Sequence, residues 1–77
     1  MTGRRVVAFS HEALERNYPI TDRVPNWCFR VVELSASTWR AEGSDLWGRK
    51  VAHVGTDPET LLAACIADAR AIAAEAE

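Results

Sequence analysis

The segment Gly55-Thr56-Asp57-Pro58-Glu59, with the alanine-rich run behind it, constrains this chain more than any other stretch. Asp57 as N-cap puts Pro58 at the first helical position, where its missing N–H costs nothing and its φ is already helical. Thr56 with Glu59 offers a capping box as a second way to start the same helix. Leu62, Cys65, Ile66, Ala69, Ile72, Ala73 and Ala76 then recur at spacings of three and four and form one apolar stripe. Glu59, Asp68, Arg70 and Glu75 fall off that stripe. Its alanines favour helix and let it lie close to whatever it covers. A stripe of this kind needs an apolar surface, which the rest of the chain must supply.

The middle of the chain provides it. Residues 27–34 (Trp-Cys-Phe-Arg-Val-Val-Glu-Leu) are rich in strand formers, Ser35-Ala36-Ser37 supplies a turn, and residues 38–42 resume with alternating character. Two such runs read as a β-hairpin. Residues 43–48 (Gly-Ser-Asp-Leu-Trp-Gly) read as a longer loop, and residues 49–54 as a third strand. Setting Arg30 opposite Glu42, and Glu42 opposite Lys50, collects Phe29, Val31, Trp39, Ala41 and Val51 on one face. Arg30, Arg40, Glu42 and Lys50 fall on the other, with Glu42 between cations on both neighbouring strands. A slip of one residue would turn Phe29 or Trp39 into water, so the register is well specified. The fold class is therefore α+β: an antiparallel three- or four-stranded meander packed on one C-terminal amphipathic helix.

The N-terminal third is less regular. Residues 4–9 (Arg-Arg-Val-Val-Ala-Phe) read as a short strand; this apolar run is far shorter than the core of a signal peptide. Ser10 caps a brief helix from His11 to Arg16, and Pro19 ends it. Residues 20–26, with a second proline at Pro25, read as an ordered loop. Seventy-seven residues hold one small domain with a thin core. No apolar run approaches the roughly 20 residues of a membrane-crossing helix, so no membrane partner is expected. Cys28 and Cys65 lack metal or redox spacing and read as buried and reduced, which fits the cytoplasm. Spacing alone leaves open whether the two approach each other.

Catalytic readings find little to stand on. His53 at a strand end and Asp57 at a helix cap have separate structural duties. Cys65 lies on the apolar stripe, where burial raises a thiol pKa and works against a nucleophile. Glu33, Glu42 and Asp45 are scattered over a strand end, a strand and a loop. His11, Cys28, His53 and Cys65 lack the short spacings of metal ligands, and one glycine before an acidic cap makes no phosphate loop. No cofactor is expected, and the chain reads as a non-enzymatic protein.

Its candidate surface is the outer sheet face. Cys28, Val32, Leu34, Ala52 and Val54 alternate there with the charges, and a sheet covered by one helix leaves them unexplained. Either the N-terminal segment (Val6, Val7, Phe9, Leu14) folds over them, or a second copy or another protein does. Trp47, on a glycine-flanked loop, is a further candidate anchor. The leading expectation is a small bacterial-type protein-interaction module, in one version a homodimer, using Val32, Leu34, Val54 and Trp47. The rival is a nucleic-acid-binding accessory using Arg30, Arg40, Arg49 and Lys50. A formal net charge of −2 supplies no general attraction for polyanions. In element order alone, the last two-thirds of the chain resembles the sheet-and-helix module of small antitoxin or immunity proteins. No motif accompanies that order, so no family is assigned from it.

Overall fold

The C-terminal helix begins where its capping chemistry places it. In the computed structural model, which describes residues 10–76, α2 runs Pro58–Ala76. Asp57 Oδ1 accepts from the Glu59 N–H at 3.1 Å, and Thr60 Oγ1 donates to Asp57 Oδ2 at 2.7 Å. Asp57 thus performs the capping, and its carboxyl is held below its ordinary pKa, chiefly by the Thr60 hydroxyl. Before α2 come α1 (His11–Asn17), β1 (Ile20–Val24), β2 (Trp27–Ser35), β3 (Thr38–Asp45) and β4 (Lys50–Gly55). The four strands form one antiparallel meander in the order β1-β2-β3-β4. The strand expected at residues 4–9, and the side chain of Ala76, lie outside the described residues.

The fourth strand comes from residues 20–26, where a loop was expected. Pro25 pre-sets φ and Asn26 takes a φ of 68°, the combination that closes a tight two-residue turn. Val24 is thereby brought opposite Trp27, and Ile20 opposite Phe29. Asp22, at φ 66°, accompanies a register irregularity between those two pairs. Proline and aspartate lower strand propensity, but pairing with an apolar neighbour outweighs it.

The first hairpin has the expected register, with Arg30 opposite Glu42. The second differs by two residues: Glu42 faces Ala52, and Lys50 faces Ser44. The reason is that β3 does not stop at Glu42 but continues through Gly43, Ser44 and Asp45, all buried. Gly43 makes this possible. A Cβ there would stand 2.5 Å from Phe29 Cδ2, so only glycine lets the Phe29 ring lie across β3. A shift of two preserves side-chain parity, so every residue keeps its expected face.

One face of the sheet meets α2. Phe29, Ala41, Cys65 and Ala69 are fully buried between the layers, with Val24 and Trp27 at the β1–β2 end. Val31, Val51, Leu62, Ile66, Ile72 and Ala73 pack around them half-buried, as does Leu61, which the stripe read from sequence omitted. Leu61 lies against Gly55, where an added Cβ would be 3.1 Å from its Cδ2. Trp39 is on this face but only half-buried. At roughly 25 cal/mol per Å² of apolar surface removed from water, this layer is the largest favourable contribution to the fold.

The opposite face meets α1 at one end only. Ser10 Oγ accepts from the Ala13 N–H at 3.1 Å and caps α1; the Tyr18 N–H closes it on the Leu14 carbonyl at 2.8 Å. Leu14 and Tyr18 join Cys28 and Leu46 in a second, smaller core, with Trp47 against it. Cys28 and Cys65 thus sit in separate cores on opposite faces of the sheet, both free and buried.

Candidate functional site

The register arranges the outer face in rows that run across the strands. Cys28, Ser44 and Lys50 form the first, Arg30, Glu42 and Ala52 the second, and Val32, Arg40 and Val54 the third; Leu34 follows at the end of β2. The first row lies at the end covered by α1. The third lies at the open end, where Val32, Leu34 and Val54 are 39%, 47% and 55% exposed. They are the large hydrophobics that the described structure leaves most exposed, and they share one end of one face. Leu14 covers only the far end, over Cys28. The contribution expected from Val6, Val7 and Phe9 lies outside the described residues.

Charge on this face is organised around Glu42. Arg30 Nε donates to Glu42 Oε1 at 2.6 Å, and Arg40 Nη1 donates to Glu42 Oε2 at 3.2 Å. The second cation is therefore Arg40 on the same strand, two residues away, rather than Lys50 on β4. The displaced register explains this, because Lys50 lies one row further on. Arg30 also lies over the Tyr18 ring, 4.6 Å from its centroid, and donates through Nη1 to the Asn17 carbonyl at 3.4 Å. It thereby joins the sheet to the end of α1. Its hydrogen bond to Glu42 pushes the guanidinium pKa further up.

Arg49 does not belong to this face. It precedes β4, and its Nε donates to Asp45 Oδ2. Asp45 is fully buried, and its Oδ1 also accepts from the N–H groups of Trp47 at 3.0 Å and Arg49 at 2.8 Å. One carboxylate thus satisfies two backbone donors and a guanidinium while the chain turns through Gly48 at φ 90°. The Arg49 guanidinium carbon lies 6.0 Å from the Trp27 ring centroid and 5.8 Å from that of Trp47. Trp47 accordingly packs at the α1 end of the molecule, apart from Val32, Leu34 and Val54. In sequence Asp45 is one of several scattered carboxylates. The available signal was an Asp four residues before an Arg, across a loop with one glycine.

The groups with intrinsic reactivity are engaged elsewhere. Cys65 Sγ donates to the Ala41 carbonyl at 3.3 Å, and burial raises its pKa. Burial also raises that of Cys28, aided by the carboxylates of Glu15 and Asp22. These last two line an open cleft of about 270 Å³ between α1 and the β1–β2 hairpin, together with His11, Trp27 and Cys28. His53, expected at a strand end, instead lies within β4 opposite Ala41, its Nε2 2.7 Å from Asp68 Oδ2 on α2. Among the described residues, no group of three or more His, Cys, Asp or Glu is placed to hold a metal ion. No described helix is long and apolar enough to cross a membrane.

Among the described residues, fold and surface together define a small α+β meander with one sheet face covered by a helix and the other covered by α1 at one end. No protein-family model matches this chain, and neither does any curated protein or solved structure.

Proposed function

We propose that this chain is a non-enzymatic protein-interaction module that receives its partner on the open end of the outer sheet face. The carrying observation is the grouping of Val32, Leu34 and Val54, each more than a third exposed, on a face whose other end is already covered. A sheet face in water is ordinarily polar, and contiguous exposed aliphatic side chains mark contact sites. The protonated, buried thiols and the His53–Asp68 pair are accounted for by packing and by tying helix to sheet.

Affinity capture from the native host, with the wild-type chain and a Val32→Asp/Leu34→Asp/Val54→Asp variant as baits, tests this reading. The expected result is a protein retained by the wild type and lost from the variant, while the two show similar circular dichroism. The same proteins captured equally by both baits would remove the proposal. Sedimentation velocity over a concentration series decides the homodimer version: a wild-type dimer that the triple variant dissolves supports it, and a monomer throughout ends it.

The nucleic-acid reading has less in its favour. Arg30 and Arg40 are joined to Glu42 and Arg49 to Asp45, so Lys50 is the member of that group with no ion pair among the described residues. Trp27 is buried and Trp39 lies on the helix face, so neither gives the outer face a stacking platform for bases.

A further inference from the structure

We infer that two copies of this chain join through β4, edge to edge, so that their sheets become one. The joint is made by backbone groups of the sheet edge and stands apart from the docking role proposed for the outer face. The meander has two edges, β1 and β4. β1 is blunted: Asp22, at φ 66°, accompanies a break in its register against β2, and Pro19 and Pro25 flank it. Irregularities and prolines of this kind keep a sheet edge from pairing with another chain. β4 has neither. It pairs with β3 from Lys50 to Gly55 without a register shift, and each of its residues is exposed or half-buried. Lys50, its one Lys, Arg, Asp or Glu, stands at its first position. Among the described residues, no strand pairs with its other side.

The ladder fixes which backbone groups this edge offers. The Asp45 N–H donates to the Arg49 carbonyl at 3.0 Å, so these two form a hydrogen-bonded pair in the register that β3 and β4 continue. Bonded and non-bonded pairs alternate along an antiparallel ladder. Val51, His53 and Gly55 therefore bond to β3, and the N–H and C=O groups of Lys50, Ala52 and Val54 point away from the sheet. That set is symmetric about Ala52. An antiparallel second copy pairs Lys50 with its Val54, Ala52 with its Ala52 and Val54 with its Lys50, which uses every outward group. Residues so paired have the same parity, so the two-fold axis sets outer face beside outer face and α2 beside α2. The residue on the axis is alanine, which asks for little room.

An extended peptide would meet the same backbone groups; the flank of α2 that borders β4 favours a second copy. Asp68 reaches His53 from that flank, and Ala64 and Ala71 stand one turn to either side of Asp68. Small side chains there let a second α2 lie alongside, so both layers continue across the axis. The charged groups bordering the joint are Lys50 on the outer face and, along α2, Asp68 and Glu75. Arg40 and Glu42, one strand back, are bonded to each other, as are Arg49 and Asp45. Asp68 approaches its counterpart across the axis, but it is half exposed and bonded to His53, so solvent screens the repulsion.

Sedimentation velocity and amide exchange of the full chain, over a concentration series up to about 1 mM, test the joint. A dimer is expected to form with concentration. In it the Lys50, Ala52 and Val54 amides should exchange about tenfold or more slowly than in the dilute chain, whereas Val51 and His53 keep the protection that β3 gives them. Ala52→Pro removes an outward N–H without touching the β3 ladder, and Ala71→Glu adds like charges along the helix flank. Each is expected to weaken the dimer about tenfold or more, with circular dichroism showing that the variant folds. Ala71→Glu decides alone if the proline variant does not. Val32→Asp/Leu34→Asp, away from this edge, should leave the dimer unchanged. A monomer throughout, edge amides protected equally at every concentration, or a dimer indifferent to the edge variants would overturn the inference. A dimer dissolved by Val32→Asp/Leu34→Asp and not by the edge variants would overturn it in favour of face packing. Face-dependent capture of another protein by a strictly monomeric chain would remove the joint and leave the docking role standing.

Discussion

The two faces of this sheet are built from the same three strands yet have opposite fates. On the helix side, successive positions are Phe29 and Val31 on β2, Ala41 and Gly43 on β3, and Val51 on β4, and a nineteen-residue helix covers them. On the outer side the alternate positions mix Cys28, Val32 and Leu34 with Arg30, Arg40 and Glu42, and a seven-residue helix covers one end. The difference teaches that the two apolar surfaces are packed to different extents. Phe29, Ala41, Cys65 and Ala69 are fully buried in the main core, whereas Val32, Leu34 and Val54 are more than a third exposed among the described residues.

The comparison is broken most severely from the helix side. Phe29→Ala empties the centre of the main core, and a loss of about 3–5 kcal/mol is expected in urea denaturation. For a chain of this size such a loss approaches the whole of its stability. A loss below about 1 kcal/mol would mean that the helix layer is not the principal core. Next comes Asp45→Ala, which strands the Trp47 and Arg49 N–H groups and leaves Arg49 without its carboxylate. Removing one member of a fully buried pair is severe, but Arg49 is partly solvated, so about 2–3 kcal/mol is expected. The β3–β4 connection should also gain amide exchange before the rest of the sheet.

The two thiols sharpen the comparison without disturbing either core by much. Both have pKa values raised chiefly by burial, so the folded state holds their protons more tightly than the unfolded chain. Their contribution to stability is complete below the ordinary thiol value of 9.0 and is lost as pH rises through the elevated folded values. Cys65→Ala should therefore flatten the alkaline limb of the stability profile; an unchanged limb would contradict it. Under native conditions a thiol reagent should modify Cys28 before Cys65. Undocking one short helix suffices to open the smaller core, whereas Cys65 needs the loss of α2. Mass spectrometry of the early adduct distinguishes the two, and modification of Cys65 first would reverse the ranking of the faces. The smallest effect belongs to the open end. Leu34→Ser should change stability by no more than about 0.5 kcal/mol in the isolated chain. A larger loss would show that something in the chain already covers it.

Much of the architecture was readable because its signals are local. Asp57-Pro58 announces a helix start by capping chemistry, the 62–73 stripe gives that helix a face, and alternation in residues 27–34 and 38–42 fixes which side chains it meets. The aliphatic part of the candidate surface, Val32, Leu34 and Val54, was legible for the same reason, as parity assigns them to the outer face. Trp47 and Arg49 were not. Their positions depend on Asp45, whose partners lie around a bend that no periodicity describes.

The chain's own sequence thus determined the order of elements from β2 onward, the parity of β2, β3 and β4, and the start of α2, because each follows from propensities and spacings a few residues long. Tertiary structure decided that residues 20–24 become a strand, that β3 runs on to Asp45, and that Glu42 takes Arg40 instead of a cation on β4. Those outcomes come from pairing energy, from the space Gly43 leaves for Phe29, and from a buried carboxylate that closes a loop. Each of these forces exists only once distant residues have met.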